Sequence, residues 1–143
     1  MVPVLRRQDF RLKAIVKAGM FNTLLARLRK ALGPKAQTRA ILRNERAEGD
    51  LRYLGATYSS EGNLVIEGQD LGNAVEAAFG YREYEWTWVI ACADLPKLAA
   101  ALDTRTDLMA ALEHRFSGPA AAQLAAFLQE HNIPHTGWSR IGD

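Results

Sequence analysis

The segment Glu83–Ala93 alternates more strictly than any other part of the chain. Tyr84, Trp86, Trp88 and Ile90 fall on one side of it; Glu85, Thr87, Val89 and Ala91 fall on the other. Successive side chains of a strand point to opposite faces, so this period of two predicts a strand with its rings against a helix layer. Two more strands are expected upstream. Leu51–Tyr58 and Asn63–Gly68 read as a hairpin, and Ser59–Asn63 supplies its turn, with Gly62 and Asn63 able to take positive φ.

Helical signals surround these strands. Asp70 reads as the N-cap of a helix to Phe79, and Gly80 closes it. Asp94 caps Leu95–Leu102, with Pro96 in the tolerated first turn. Thr106 precedes a helix over Asp107–Phe116, and Gly118-Pro119 opens Ala120–His131, with Leu124, Phe127 and Leu128 facing in. The tail from Ile133 carries Trp138 and Ile141, whose burial would be favourable, so it is expected to dock. The expected fold is α+β: a small three-stranded antiparallel sheet packed with helices, plus a basic helical N-terminal extension.

That extension rests on Met20–Leu32, where Met20, Phe21, Leu24, Leu25, Leu28 and Leu32 make an apolar stripe that Gly33-Pro34 ends. Lys35–Ala47 continues with a weak helical pattern through Ala36, Ala40, Ile41 and Leu42. Residues 1–46 are therefore read as the extension, and 47–143 as an acidic α+β domain.

The formal net charge of +2 conceals an asymmetry. Residues 1–50 hold twelve Lys/Arg against four Asp/Glu, and residues 51–143 hold six against twelve. Charge blocks of this size act on association more than on fold. The basic part suits nucleic acid, an anionic membrane or the acidic part of the chain; the acidic part suits a cationic partner. Arg11, Lys13 and Lys17 interrupt the only segment resembling a secretory signal, and no apolar run approaches the ~18–20 residues of a membrane span. The cytoplasm is the expected compartment. One cysteine, Cys92, excludes an intramolecular disulfide, and its place at the end of an apolar strand reads as buried.

Four spaced motifs, Leu64-Val65-Ile66-Glu67-Gly68-Gln69-Asp70-Leu71-Gly72, Tyr84-Glu85-Trp86-Thr87, Asp94-Leu95-Pro96-Lys97-Leu98 and Ile133-Pro134-His135-Thr136-Gly137-Trp138-Ser139-Arg140, occur in this order. Together they resemble a family of small bacterial proteins, mostly from high-GC actinobacteria, to which no activity is attached. The resemblance covers about residues 51–143 and implies an outline, with no catalytic residues. The basic first third falls outside it, as either a genuine extension or the product of an early start codon.

Chemistry-bearing motifs are sparse. The sequence has no phosphate loop, no Rossmann glycine set and no HExxH, and neither a cofactor nor a metal is expected. His131 and His135 have helical metal-ligand spacing, but Pro134 breaks the helix between them. The expected function is a non-catalytic protein-binding protein, immunity- or antitoxin-like, whose acidic domain blocks a cationic toxin or enzyme. Glu76, Glu83, Glu85 and Trp138 are its candidate binding residues, since complementary fields favour encounter and Trp is enriched in interface hot spots. One alternative is a nucleic-acid-associated protein using Arg27, Arg29, Lys30, Lys35, Arg39 and Arg43 on phosphates. Another is a small enzyme, which requires two or more of Glu67, Asp70, Glu85, His131 and His135 to converge.

Overall fold

The computed structural model of the chain describes residues 36–105 and 107–142. From Gln37 onward they belong to one compact unit. In chain order its elements are β1 (Arg39–Ala47), β2 (Asp50–Tyr58), β3 (Leu64–Leu71), α1 (Asn73–Phe79), β4 (Glu83–Ile90), α2 (Leu95–Ala101), α3 (Leu108–Phe116), α4 (Leu124–Glu130) and β5 (Thr136–Gly142). The strands form one antiparallel sheet in the order β1-β2-β3-β4-β5.

The sheet thus has five strands where three were expected. Both additions are edge strands, and both lack a strong period-two pattern. In β1 the supposed helical residues Ala40 and Leu42 are instead buried two apart against the helix layer. A two-residue turn joins β1 to β2: Glu48 and Gly49 both adopt positive φ, 49° and 86°, as a tight hairpin of right-handed twist requires. The expected docked tail is β5, which completes the sheet beside β4 and stays largely exposed. The helical extension is corrected from Arg39 onward, where the chain is strand. The helix expected at Met20–Leu32 lies outside the described residues.

One face of the sheet carries the core. Leu54, Ala56, Leu64, Ile66 and Ile90 meet Leu98 of α2, Met109, Leu112 and Phe116 of α3, and Leu124, Phe127 and Leu128 of α4. Side-chain parity sets this face: Leu64 and Ile66 are buried while Glu67 is exposed. Asp107 caps α3 by accepting from the Ala110 N–H at 3.1 Å, and it also accepts from the Gln37 N–H at 2.9 Å. That second bond ties the start of β1 to the helix layer.

Two local expectations fail. Asp70 does not cap α1; it pairs with Tyr84 inside the sheet. Gly72 takes the capping position at φ 118°, and Asp50 of β2 supplies the acceptor, 3.2 Å from the Ala74 nitrogen. A side chain at Gly72 would put Cβ within 2.3 Å of the Gly49 carbonyl oxygen, so only glycine permits this approach. Cys92 is exposed, because the chain leaves the sheet after Ile90 and enters a short 3-10 turn. Among the described residues no helix is long and apolar enough to cross a membrane.

Candidate functional site

Strand register gathers three of the four residues expected to bind a partner. Glu83 and Glu85 project from the face of β4 opposite the core, and Trp138 of β5 pairs with Thr87 on that same face. Register also sets Gln69 beside Glu85 on one side and Arg140 beside it on the other. The Gln69 amide donates to Glu83 Oε1 at 2.8 Å and to Glu85 Oε1 at 3.2 Å. Arg140 Nη2 lies 3.6 Å from Glu83 Oε2 and 3.3 Å from Glu85 Oε2. A shallow groove of about 330 Å³ runs along this face between Tyr53, Glu67, Gln69, Glu85 and Trp138. Trp138 is 56% exposed beside it. Glu76 does not join them: it sits on α1, 3.7 Å from Arg82 Nη1.

The basic residues of the nucleic-acid reading are not assembled by the described unit. Arg27, Arg29, Lys30 and Lys35 lie outside the described residues. Arg39 and Arg43 both lie on β1, and the sheet sends them to opposite faces. A β-bulge between Ile41 and Arg43 inserts one residue, so Arg43 pairs with Leu54 on the core side while Arg39 pairs with Thr57 on the open side. Arg39 donates to Tyr53 Oη at 2.9 Å, and this bond raises its pKa.

The residues of the enzyme reading are brought together only in part: Glu67 and Glu85 both line the open-face groove. Glu67 and Glu85 are on the open face, and Asp70 is on the helix side. His131 ends α4 against Phe127, and His135 lies by Trp88 with its Nδ1 3.0 Å from the Ile133 carbonyl oxygen. Among the described residues no three His, Cys, Asp or Glu side chains cluster to hold a metal ion.

A second concavity opens on the helix side, where the helices leave part of the sheet bare. It has a volume of about 320 Å³. Its floor holds three aromatic residues: the Tyr84 and Trp86 rings stack at 5.2 Å, and Trp88 lies 6.4 Å from Trp86; Phe79, outside the cleft, lies 5.4 Å from Tyr84. Gly68, opposite Trp86 in the sheet, makes the stacking possible, since a Cβ there would lie 2.0 Å from the indole ring. Ala121, Ala122 and Ala125 form the facing wall, and their small side chains leave the space open.

Two residues of its lining carry polar atoms that are themselves closed off from solvent. Trp86 Nε1 and Arg43 Nε are buried and have no hydrogen-bond partner among the described residues. Arg43 Nε is 3.0 Å from Glu45 Oε2, an ion pair whose N–H direction makes no hydrogen bond. Burial raises the pKa of the Asp70 carboxyl, and Arg52 and Arg43 partly oppose that rise. The sequence reading assigned Trp86 and Trp88 to the core, and both do pack against it from partly buried positions. It did not foresee the space above them. The available signal was the alanine-rich run 120–126, whose side chains are too small to cover the three rings opposite.

Comparison with family models, with curated proteins and with solved structures finds no match for the chain. The resemblance to the small actinobacterial family is therefore carried no further, and function is read from the chemistry of the two faces.

Proposed function

We propose that the chain is a non-catalytic protein-binding protein that recognises its partner on the open face of the sheet. The observation carrying this reading is the setting of Trp138. A large exposed ring stands on a rigid strand beside two carboxylates already held in place by Gln69 and Arg140. Exposed Trp residues make strong interface anchors, and side chains ordered before binding lose less entropy on association.

An immunity- or antitoxin-like role fits this reading. Residues 37–142 hold nine Lys/Arg against fourteen Asp/Glu. The open face itself mixes both signs, with Arg39 and Arg140 beside Glu67, Glu83 and Glu85. The acidic excess of this unit, within a chain of net charge +2, favours a cationic protein near the unit itself, while Trp138 supplies the contact.

The test is affinity capture from the native host with the full chain, followed by binding measurements on the captured protein. Trp138→Ala is expected to weaken that binding at least about tenfold, the loss typical of a hot-spot residue, and binding is expected to weaken with salt. Phe79→Ala, on the other face, is expected to leave it unchanged. Capture of nucleic acid that depends on residues 1–35, with no effect of Trp138→Ala, would overturn the reading.

A further inference from the structure

The two edges of the sheet are built differently. β1 carries a bulge between Ile41 and Arg43 and the charges of Arg39, Arg43, Glu45 and Arg46. Bulges and charges discourage a further strand from pairing with an edge. β5 lacks this protection: its seven residues pair with β4 without a register break, hold no proline and carry one charge, at Arg140. Among the described residues β5 pairs with β4 alone, so its outer edge presents backbone N–H and C=O groups for pairing. Trp138 and Ile141, on its two faces, are 56% and 45% exposed.

The strand is also complementary to itself. Opposed side chains of an antiparallel pair share a face, so two copies related by a two-fold axis pair residues of like parity. Centring on Trp138 pairs only Thr136–Arg140, and centring on Arg140 sets two like charges opposite each other. Centring on Ser139 pairs all seven residues. Each Trp138 then opposes the second copy's Arg140, and each Ile141 opposes the second copy's Gly137. Arg140 meets Glu83 and Glu85 through Nη2, at the edge of its guanidinium plane, which leaves the face of that plane for a ring. Gly137 has no side chain, and a Cβ there would lie 3.4 Å from Trp88 Cδ1, so an isoleucine opposite it gains an aromatic neighbour and loses contact with water. We propose that two copies of the chain pair through β5 in this register, joining two five-stranded sheets into one. The axis stands perpendicular to the sheet, so both open faces stay uncovered on the same side.

Sedimentation velocity on the full chain reads this assembly with no other protein present, so its outcome is separate from that of the partner reading. A reversible dimer with a micromolar Kd is expected, as suits one short edge. Trp138→Lys sets two like-charged pairs across the axis and is expected to raise Kd at least about tenfold. Trp138→Glu offers each Arg140 a carboxylate instead, and is expected to dimerise at least about tenfold more tightly than Trp138→Lys. Both changes fall at an exposed position, so the circular dichroism spectrum is expected to stay native. Crosslinking with oxidised glutathione reads the register, in a Cys92→Ser background because Cys92 is exposed. Ser139→Cys faces its own copy at a Cα separation of about 4.5–5.5 Å, within disulfide reach, and is expected to give covalent dimer. Thr136→Cys, at the far end of the strand, is expected to give none. Three results would each overturn the proposal: a monomer up to millimolar protein, a dimer with the same Kd for Trp138→Lys and Trp138→Glu, or crosslinking of Thr136→Cys as fast as that of Ser139→Cys.

Discussion

The two faces of the sheet treat polar groups in opposite ways. On the open face they satisfy one another: Gln69 and Arg140 bracket Glu83 and Glu85, and Arg39 holds Tyr53. On the helix side Trp86 Nε1 and Arg43 Nε are closed off from solvent without hydrogen bonds, beside a cleft floored by aromatic rings, and Arg43 Nε has only its ion pair with Glu45. Exposed pairs contribute little to stability because water screens them, while unsatisfied buried donors weaken the fold. The open face is therefore arranged for contact at small energetic consequence. The helix side keeps a standing cost at its unsatisfied buried donors.

Paired glycine substitutions give the largest expected difference between the faces. Gly68 lies under Trp86, and Gly55 lies under Tyr53; an added Cβ would fall 2.0 Å from the indole ring and 2.3 Å from the Tyr53 hydroxyl oxygen. Trp86 packs against the core and cannot leave without opening it. For Tyr53 the closest atom is the hydroxyl oxygen at the far end of a side chain that can swing toward solvent. Gly68→Ala is expected to cost about 3 kcal/mol, at the upper end of overpacking effects, and Gly55→Ala about 1 kcal/mol or less. Chemical denaturation of the two variants measures both. Equal losses would mean that the faces are equally rigid.

Two aspartates on the helix side give an intermediate effect with opposite signs. The Gln37 and Ala110 backbone N–H bonds lower the pKa of Asp107, so its contribution is present above the usual carboxylate pKa and is lost as pH falls through the folded value. Asp107→Ala is expected to cost about 1–2 kcal/mol near neutral pH, as loss of an N-cap does. Asp70 behaves inversely. Its folded pKa is raised, chiefly by desolvation, so its ionisation reduces stability as pH rises from the usual carboxylate value through the folded one. Asp70→Asn is expected to leave stability at neutral pH unchanged or increased, and to flatten that decline. Thermal melts at pH 3 to 7 on both variants check the signs, and a destabilised Asp70→Asn would make Asp70 a structural residue.

Legibility in the sequence followed the strength of local pattern. The β2–β3 hairpin and β4 were readable because alternation and turn residues agreed, and the cap at Asp107 lies beside the Thr106 that precedes the expected helix. The edge strands were not. Ala40, Ile41 and Leu42 carry a bulge that breaks the period of two, and β5 is exposed along nearly its whole length, so burial imposes no alternation on it. The turn at Glu48-Gly49 also lacks the Asn-Gly or Asp-Gly signature that marks such hairpins. At the candidate site, Glu83, Glu85 and Trp138 were legible as residue types, but their meeting depends on β5 pairing with β4. Gln69 and Arg140 enter the network only through that register. Arg43 reaches the cleft only because the bulge turns it inward.

The smallest expected effect comes from the open-face network itself. Arg140 is more than half exposed, and each of its contacts exceeds 3 Å, so its pairs with Glu83 and Glu85 are those of a screened surface site. Arg140→Ala is expected to change stability by less than about 1 kcal/mol, and a double-mutant cycle with Glu85→Gln to give a coupling of about 0.2–1 kcal/mol that shrinks with salt. The same substitution frees both carboxylates to move, so it is expected to weaken partner binding more than it weakens the fold. A coupling above about 2 kcal/mol would exceed what an exposed pair supplies. The open face would then be a stability element like the core, and the contrast between the two faces would disappear.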